Sequence, residues 1–424
     1  MATPQCGAPG KERLSVAAVL RRFLPVADFP APSRTHEVLR RLSRCHTGQL
    51  GWTLWDCQLC TALHWRPSGC GDRHCPECSA RAREAWLEKQ RAALLPVRYY
   101  HWVFTLPAAL RPLALQNPKA IYTLLFDAAS ATLLQFGEER FGARLGITAL
   151  LHTWGQNLME HPHLHCLVTG GGLSQSAEGT PVWVGPKQTR YLFPVRAVAR
   201  MFQGKFLAGL RQLRQDGKLE FHGRLKSWED AAVWERTLGV LGGSKWVVFG
   251  KGSVAGPEAV LEYLGRYTHR VAISNGRLVR MDARTVTFRY KDYKQNGALR
   301  EMTLEGPEFV RRLSLHILPS GFTKIRHYGI LGNNRRAKLV PLARKALEGS
   351  RWHLALALAL ALALALVKGL IKPEREASGC PHCGGDDLVC VGRLDASGNY
   401  IAMRRGSLQR YLKAGRPPKL CDSS

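Results

Sequence analysis

Hydrophobic and polar residues follow each other in a pattern that predicts an antiparallel hairpin near the middle of the chain. The mostly apolar run 147–151 leads through a short polar loop into the run 162–168, and a glycine triplet at 170–172 ends the second run. Two short apolar runs bounded by turn residues are typical of paired strands. The pattern therefore predicts a β-hairpin over residues 147–168.

Helices are predicted on both sides of this hairpin. Apolar residues recur at helical spacing over residues 118–136 and 195–213, and Pro257 stands where a helix that runs to about residue 268 would begin. Helices and strands interspersed in this order predict an α+β domain around an antiparallel sheet. The remaining predicted elements are a partly ordered lead-in at 1–34, a helix at 36–42, strands at 100–106, 246–249 and 285–290, and a hairpin of 271–274 and 278–281 about the turn Asn275-Gly276.

Leucine and alanine alternate from residue 354 to residue 366, and Val367 extends this apolar tract. Both residues are good helix formers, so a helix or a low-complexity linker is favoured over a strand. A run of about 14 apolar residues is shorter than the ~20 that a helix needs to cross a bilayer. We therefore expect neither a membrane anchor nor a catalytic role for this tract.

The chain carries a strong positive charge. It has 61 Lys and Arg residues against 32 Asp and Glu residues, which gives a formal net charge of +29 and a pI near 10.1. Such a charge attracts phosphate and makes binding depend on salt, so a nucleic-acid partner is predicted. Tyr290, Tyr293 and Tyr328 lie among the basic residues and are candidates for stacking on unpaired bases, with half-buried packing as the other interpretation.

Two histidines of the predicted hairpin indicate a metal site. Successive side chains of a strand point to opposite faces, so His163 and His165 share one face and can bind one divalent ion. In one register of the hairpin, His152 lies opposite His165 and supplies a third ligand. Gln156 and His269 are the alternatives for that third position.

Two tyrosines follow about a hundred residues after these histidines. Tyr263 and Tyr267 are four residues apart in the predicted helix, so their phenols lie on one face. A phenol can attack phosphate and hold a covalently bound product. Each tyrosine alone is typical of a packing residue, but beside a metal site the pair predicts a catalytic role in DNA strand breakage.

The cysteines predict zinc sites. Cys57-x-x-Cys60 and Cys75-x-x-Cys78 have 14 residues between them, as is typical of two knuckles that each supply half of a tetrahedral site. The first 30 residues lack the apolar core of a secretory signal, so a reducing cytoplasm is expected and disulfides are not. Cys166 is predicted to pack in the core. The candidate zinc ligands are Cys45, Cys57, Cys60, Cys70, His74, Cys75 and Cys78, with His46 beside them, and Cys380, Cys383 and Cys390 for a second zinc in the C-terminal segment.

Three motifs resemble those of the IS91-type transposases, which belong to the HUH single-strand endonucleases. They are His-Thr-Trp-Gly-Gln-Asn-Leu-x-x-His-Pro-His-x-His over 152–165, Tyr-Leu-x-Arg-Tyr-Thr-His-Arg over 263–270, and Ile-Arg-His-Tyr-Gly over 325–329. The resemblance covers about residues 41–336, with a Cys-Pro-x-Cys-Gly sequence at 380–384. Because both tyrosines are present, the chain resembles the two-tyrosine form of the family.

This resemblance implies a palm-like nuclease domain and rolling-circle-like transposition. Mg²⁺ or Mn²⁺ held by His163 and His165 would polarise the scissile phosphate of single-stranded DNA, and a tyrosine would attack to give a 5′-phosphotyrosine and a free 3′-OH. The implied partners are single-stranded transposon ends and target DNA, at the nucleoid. Two other functions stay open: a plasmid replication initiator or relaxase of the same chemistry, and an inactive zinc-dependent DNA-binding derivative.

These motifs divide the chain into four expected segments. Residues 1–40 are the lead-in, 41–93 a zinc-binding module, and 94–345 a catalytic domain with an insertion at about 174–243. Residues 346–424 form a C-terminal tail that contains the Leu-Ala tract and a cysteine-rich segment. Basic residues around the zinc-binding module indicate that it contacts DNA, although a purely structural role is the other interpretation.

Overall fold

The computed structural model describes most of the chain outside the Leu-Ala tract. The two tyrosines, His269 and that tract lie outside the described residues. The described residues are 14–91, 93–186, 190–254, 260, 265, 271–348, 350, 379–385, 387–403, 407–414 and 417.

The chain divides into two compact units. The first is assembled from three separated segments, 1–81, 273–317 and 370–424, and the second from 82–272 and 318–369. Both units combine helices with antiparallel sheets. This confirms the predicted α+β class, and it joins residues 273–317 to the two terminal segments.

Helices and strands alternate along most of the chain. The helices are α1 (Val16–Phe23), α2 (Ser33–Ser43), α3 (Pro76–Arg91), α4 (Arg111–Gln116), α5 (Pro118–Phe141), α6 (Val195–Gln215), α7 (Ala231–Gly243), α8 (Gly306–Ser314), α9 (Arg336–Glu348) and α10 (Ser407–Ala414). The strands are β1 (Trp52–Cys57), β2 (Leu63–Pro67), β3 (Tyr99–Thr105), β4 (Arg144–Trp154), β5 (Glu160–Gln175), β6 (Pro181–Val184), β7 (Val248–Val254), β8 (Leu278–Met281), β9 (Thr285–Asp292), β10 (Ala298–Glu305), β11 (Ile325–Gly329), β12 (Leu388–Leu394) and β13 (Tyr400–Ala402).

The second unit is built on a six-stranded antiparallel sheet with the order β11-β4-β5-β3-β7, and β6 pairs with the far end of β5. One face carries the side chains of Trp102, Phe104, Leu164 and Cys166, which are buried in the main core with α5, α6 and α7. The predicted packing of Cys166 in the core is therefore confirmed. Because side chains alternate between the two faces along a strand, the histidines lie on the other face.

Helix α5 covers the core face of this sheet. It begins at Pro118 and ends at Phe141, and it is capped by Gly142, whose φ of +57° lets its backbone N–H donate to the carbonyl of Glu138. By length and composition it is apolar enough to cross a membrane, but 61% of that apolar window is buried inside the protein. Its apolar side chains pack against the sheet and α6, so packing in the core accounts for the apolar composition of this helix.

The first unit contains two smaller antiparallel sheets. In one, with the order β13-β12-β1-β2, the C-terminal strand β12 pairs with β1 near the other end of the chain. The other sheet has the order β10-β9-β8 and is followed by α8, which packs on α1 and α2. Helix α1 begins at Ser15, whose hydroxyl accepts a hydrogen bond from the N–H of Ala18, so the expected lead-in contains a capped helix.

The central hairpin forms in a different register from the one predicted. His152 lies opposite His163, and Leu150 lies opposite His165. Because side chains repeat every two residues in a strand, a shift of two leaves His152 on the same face as the other histidines.

The predicted hairpin about Asn275 does not form. Residues 271–274 are not a strand, and β8 pairs with β9 instead. The Asn275 side chain accepts a hydrogen bond from the N–H of Val16 at 2.9 Å and donates one to Glu77 at 2.8 Å. These long-range contacts of Asn275 explain why the turn preference of Asn-Gly did not lead to pairing of residues 271–274 with residues 278–281.

Candidate active site and metal centres

Three imidazoles converge on one face of the six-stranded sheet. His152 on β4 and His163 and His165 on β5 each offer a ring nitrogen, and these atoms lie within 4.8 Å of one another. The rings are 4.7 to 5.3 Å apart between centroids. His152 and His165 are buried and His163 is half-buried, so His163 is the member of the group that solvent can reach. The arrangement brings together three of the candidate ligands for a catalytic metal.

Hydrogen bonds to the Nδ1 atoms orient two of these rings. His163 Nδ1 lies 2.6 Å from the carbonyl oxygen of His161 and therefore donates to it. His165 Nδ1 lies 2.9 Å from Nε2 of His101. Metal-binding imidazoles commonly use one nitrogen for such a bond and the other for the ion. Nε2 is thus the nitrogen that His163 and His165 would offer to a metal.

His101 is a member of this site that the sequence did not reveal. It lies on β3, and its ring stacks on that of His165 with centroids 5.1 Å apart and planes 7° apart. Burial, with help from Lys251, lowers the pKa of His101 to about 4. The ring is therefore neutral at pH 7 and can accept the proton of His165 Nδ1. Only the pairing of β3 with β5 brings it there.

The structure describes one of the other four candidates for this site. Gln156 is in the turn between β4 and β5, and His269, Tyr263 and Tyr267 lie outside the described residues. Val260, three residues before Tyr263, is buried in a cluster with Leu150 and Leu167 of the histidine-bearing face.

One group of four cysteine sulfurs is in the first unit. Cys45, Cys70, Cys75 and Cys78 lie within 4.8 Å of one another, and individual pairs are 3.6 to 3.8 Å apart. Four thiolates around zinc at about 2.3 Å would be separated by about 3.8 Å, so this group fits a tetrahedral site. The N–H of Cys70 donates to the sulfur of Cys45 at 3.2 Å, which helps to hold it as a ligand.

The remaining zinc candidates divide in a way that the spacing did not predict. Cys57 and Cys60 lie with Cys380 and Cys383 rather than with the Cys75-x-x-Cys78 pair. Two candidates lie outside both groups: His74 Nδ1 is 2.7 Å from Asp72, and Cys390 contacts the carbonyl oxygen of Gly392 at 3.6 Å. His46 lies beside the first group and its ring is 3.5 Å from Glu77.

Comparisons with known proteins identify a family for this chain. The family model described as "Transposase zinc-binding domain" matches residues 20–106, and the one described as "Putative transposase" matches residues 146–338. A Sinorhizobium fredii protein, "Putative transposase y4qJ", is 45% identical over 312 residues, 73% of this chain and 77% of that protein. The chain belongs to the IS91-type transposases. It is also 29% identical over 323 residues to "Transposase for insertion sequence element IS801" of Pseudomonas savastanoi pv. phaseolicola, 74% of each protein. No solved structure matches it.

Family membership confirms the resemblance that the three motifs indicated. As an IS91-type transposase the protein acts on DNA, and its matched zinc-binding domain contains a group of four cysteines that suits Zn²⁺. The net charge of +29 agrees with a DNA partner.

The transposase also has a cavity of about 940 Å³ beside strand β11, which carries the Ile-Arg-His-Tyr-Gly motif. The Arg326 guanidinium lies 4.4 Å from the ring centroid of Phe126 and donates to Thr123. Burial raises the pKa of Tyr328 to about 12, so this phenol stays protonated. The charged residues lining the cavity are Lys119, Arg144, Arg326 and Arg335, against Asp127 and Glu138.

Proposed function

We propose that this transposase cleaves and rejoins single-stranded DNA through 5′-phosphotyrosine intermediates formed by Tyr263 and Tyr267. The observation that carries the proposal is the cluster of His152, His163 and His165 on the sheet face against which Val260 is buried. Val260 is three residues before Tyr263 in the sequence, and its burial against this face supports a role for the tyrosines beside the imidazoles.

The imidazole cluster suits a catalytic divalent ion. Within the described part of the chain the cluster consists of imidazoles alone, with no carboxylate. Mg²⁺ prefers oxygen ligands, whereas Mn²⁺ also accepts imidazole, so the donor set favours Mn²⁺. His163 and His165 would bind through Nε2, with His152 as the third ligand. The bound ion would supply Lewis acidity to the scissile phosphate.

The proposed reaction is an exchange of one phosphodiester bond for another. The phenolic oxygen of one tyrosine attacks phosphorus as its proton passes to solvent, a tyrosyl–phosphate bond forms, and the bond to the 3′-oxygen breaks. The 3′-oxygen takes a proton and leaves as a free 3′-OH. Because the number of phosphodiester bonds is unchanged, the reverse attack by a 3′-OH rejoins DNA without ATP. A second tyrosine lets the protein hold one strand while it cleaves another, as rolling-circle-like transposition requires.

The cavity beside β11 is the place that we propose for unpaired nucleotides of the substrate. Four cations against two carboxylates favour the phosphate backbone, and single-strand binding proteins combine such charge with aromatic surfaces. A volume of about 940 Å³ is in the range of small-ligand sites, which accommodates one or two nucleotides. The expected location is the bacterial nucleoid, where the DNA partner is found.

A covalent-adduct assay tests the proposal. Purified protein and Mn²⁺ are incubated with labelled single strands from both ends of the encoding element, and adducts that survive denaturation are counted. We expect a metal-dependent adduct that is lost in the Tyr263→Phe/Tyr267→Phe double variant and in His163→Ala. Tyr191→Phe, which removes an exposed phenol outside the cavity, is the matched control and should keep the adduct.

Two other results of this assay would contradict the proposal. Absence of any adduct from protein that is loaded with zinc and binds DNA in a salt-sensitive way would identify an inactive DNA-binding derivative. An adduct that persists in the double-tyrosine variant would place the nucleophile elsewhere.

A further inference from the structure

The structure points to a second zinc site, made jointly by the two ends of the chain. We propose that Cys57 and Cys60 of the first unit's β1–β2 hairpin bind one Zn²⁺ together with Cys380 and Cys383 of the C-terminal segment. We call this group the composite site. It is separate from the group formed by Cys45, Cys70, Cys75 and Cys78.

The sulfur atoms are spaced as a tetrahedral zinc site requires. Cys57 Sγ lies 3.7 Å from Cys383 Sγ, and Cys60 Sγ lies 3.5 Å from Cys380 Sγ. All four sulfurs lie within 4.8 Å of one another. The expected separation around zinc is about 3.8 Å, whereas a disulfide holds its sulfurs at about 2.05 Å. The distances therefore match thiolate ligands of a shared ion.

Polar groups beside Cys380 favour its thiolate form. The N–H of His382 donates to Cys380 Sγ at 3.4 Å, and Nε2 of His64 lies 3.0 Å from the same sulfur. The Cys380 backbone closes a tight turn, since its carbonyl accepts from Gly384 at 2.8 Å and its N–H donates to Gly385 at 2.7 Å. Hydrogen bonds of this kind orient metal ligands and stabilise their charge.

Backbone pairing brings the two halves together. Strand β12 runs antiparallel to β1, with Cys57 opposite Leu388, and the N–H of Gln58 donates to the carbonyl of Asp387 at 2.8 Å. The guanidinium of Arg66 on β2 donates to the carbonyl of Gly379 at 3.1 Å. The C-terminal cysteine pair is thus fixed beside the first pair by several contacts that do not involve the cysteines.

The composite site closes a loop of more than three hundred residues. Cys57 and Cys383 are 326 positions apart, and the segment between them includes the whole histidine-bearing sheet. Long loops cost little more entropy to close than medium ones, so a metal ion can hold such distant segments together. We infer that zinc fixes the C-terminal segment, across the Leu-Ala tract, to the N-terminal zinc-binding domain.

Zinc counting in paired variants tests the composite site. Full-length protein is purified under reducing conditions in a His163→Ala background, so that the imidazole cluster does not contribute, and bound zinc per chain is measured by mass spectrometry. We expect two zinc ions in this background and one in either Cys57→Ser/Cys60→Ser or Cys380→Ser/Cys383→Ser. The quadruple variant should also keep one, because the two pairs share a single ion. Cys390→Ser is the matched control and should keep two.

Three results of the zinc count would overturn the proposal. The first is a single zinc before any cysteine is changed, and the second is two zinc ions in the Cys380→Ser/Cys383→Ser variant. The third is a quadruple variant that binds less zinc than either double variant, which would place the pairs in separate sites.

Cobalt substitution separates loss of the site from loss of the fold. Thiolate-to-cobalt absorption should fall by about half in each double variant if the remaining four-cysteine site is intact. Complete loss of that absorption in both double variants would show that the two groups are not independent, and it would also overturn the proposal.

Discussion

Nε2 of His101 lies 2.9 Å from Nδ1 of His165, and the two rings are parallel within 7°. This contact joins a residue of β3 to a proposed metal ligand of β5 across the strand pairing of the sheet. The contact orients the His165 ring, and with His165 as the donor it fixes the tautomer that presents Nε2 to a metal. We infer that His101 is a positioning residue for His165.

Replacing His101 tests this positioning role. We expect His101→Leu to weaken Mn²⁺ binding by about 10-fold to 100-fold, as is typical when a metal ligand loses its hydrogen-bond partner. His101→Gln should recover part of the affinity, since its amide oxygen can accept the same proton. Titration calorimetry with Mn²⁺ measures the effect. His327→Leu is the control, because His327 is a half-buried histidine on the same sheet face that bonds to Thr148 instead. Equal affinities for all four proteins would contradict the assignment.

We expect His327 to make the folded protein less stable in acid. Burial, and then Arg336, lower its pKa to about 4, whereas an unfolded histidine titrates near 6.5. Below pH 6.5 the unfolded chain therefore binds a proton that the folded chain does not bind until about pH 4. Its stabilising contribution is complete above pH 6.5 and is lost as the pH falls to 4, by at most about 3 kcal/mol.

The measurement compares unfolding temperatures of the wild type and His327→Leu at several pH values. The advantage of the wild type should shrink by on the order of 5 °C between pH 7 and pH 4.5, since the variant has no group to protonate. Thr148→Val, which removes only the hydrogen-bond partner of His327, should keep a nearly constant difference from the wild type. A constant difference for His327→Leu would show that its imidazole titrates normally.

Local patterns in the sequence predicted the elements but not the long-range pairing. Alternation placed His163 and His165 on one face, and that relation survives a change of register because it depends only on the period of the strand. Partners from distant strands had no local signal. His101 reaches the site only through β3–β5 pairing, and Cys380 reaches Cys60 only through β1–β12 pairing. Spacing alone joined the wrong cysteine pairs for the same reason.

Gly329 ends the β11 motif in a conformation that only glycine adopts without strain. Its φ is +65°, and a Cβ there would overlap the carbonyl oxygen of Leu145 on β4. We expect the loss of free energy of unfolding of the second unit to be several-fold larger for Gly329→Ala than for Gly321→Ala. Gly321 has a similar φ of +68°, but no heavy atom of the described structure lies within 4 Å of its added Cβ. The control isolates the cost of positive φ, which is about 1 to 2 kcal/mol. Similar melting temperatures for the two variants would show that β11 moves away from β4 to relieve the overlap.

Arg335 tests the proposed role of the cavity in binding single strands. It is exposed at the rim of the cavity and faces solvent, so its removal should leave the fold intact. A lysine or arginine that contacts one phosphate contributes about one unit to the slope of log K against log salt. We expect Arg335→Ala to lower affinity for single-stranded DNA and to reduce that slope by about 1, in fluorescence anisotropy titrations at several salt concentrations. Arg236→Ala removes another exposed cation, on α7 and outside the cavity, and should leave both values nearly unchanged. If the two variants lose the same affinity, the effect comes from net charge and the single strand lies elsewhere.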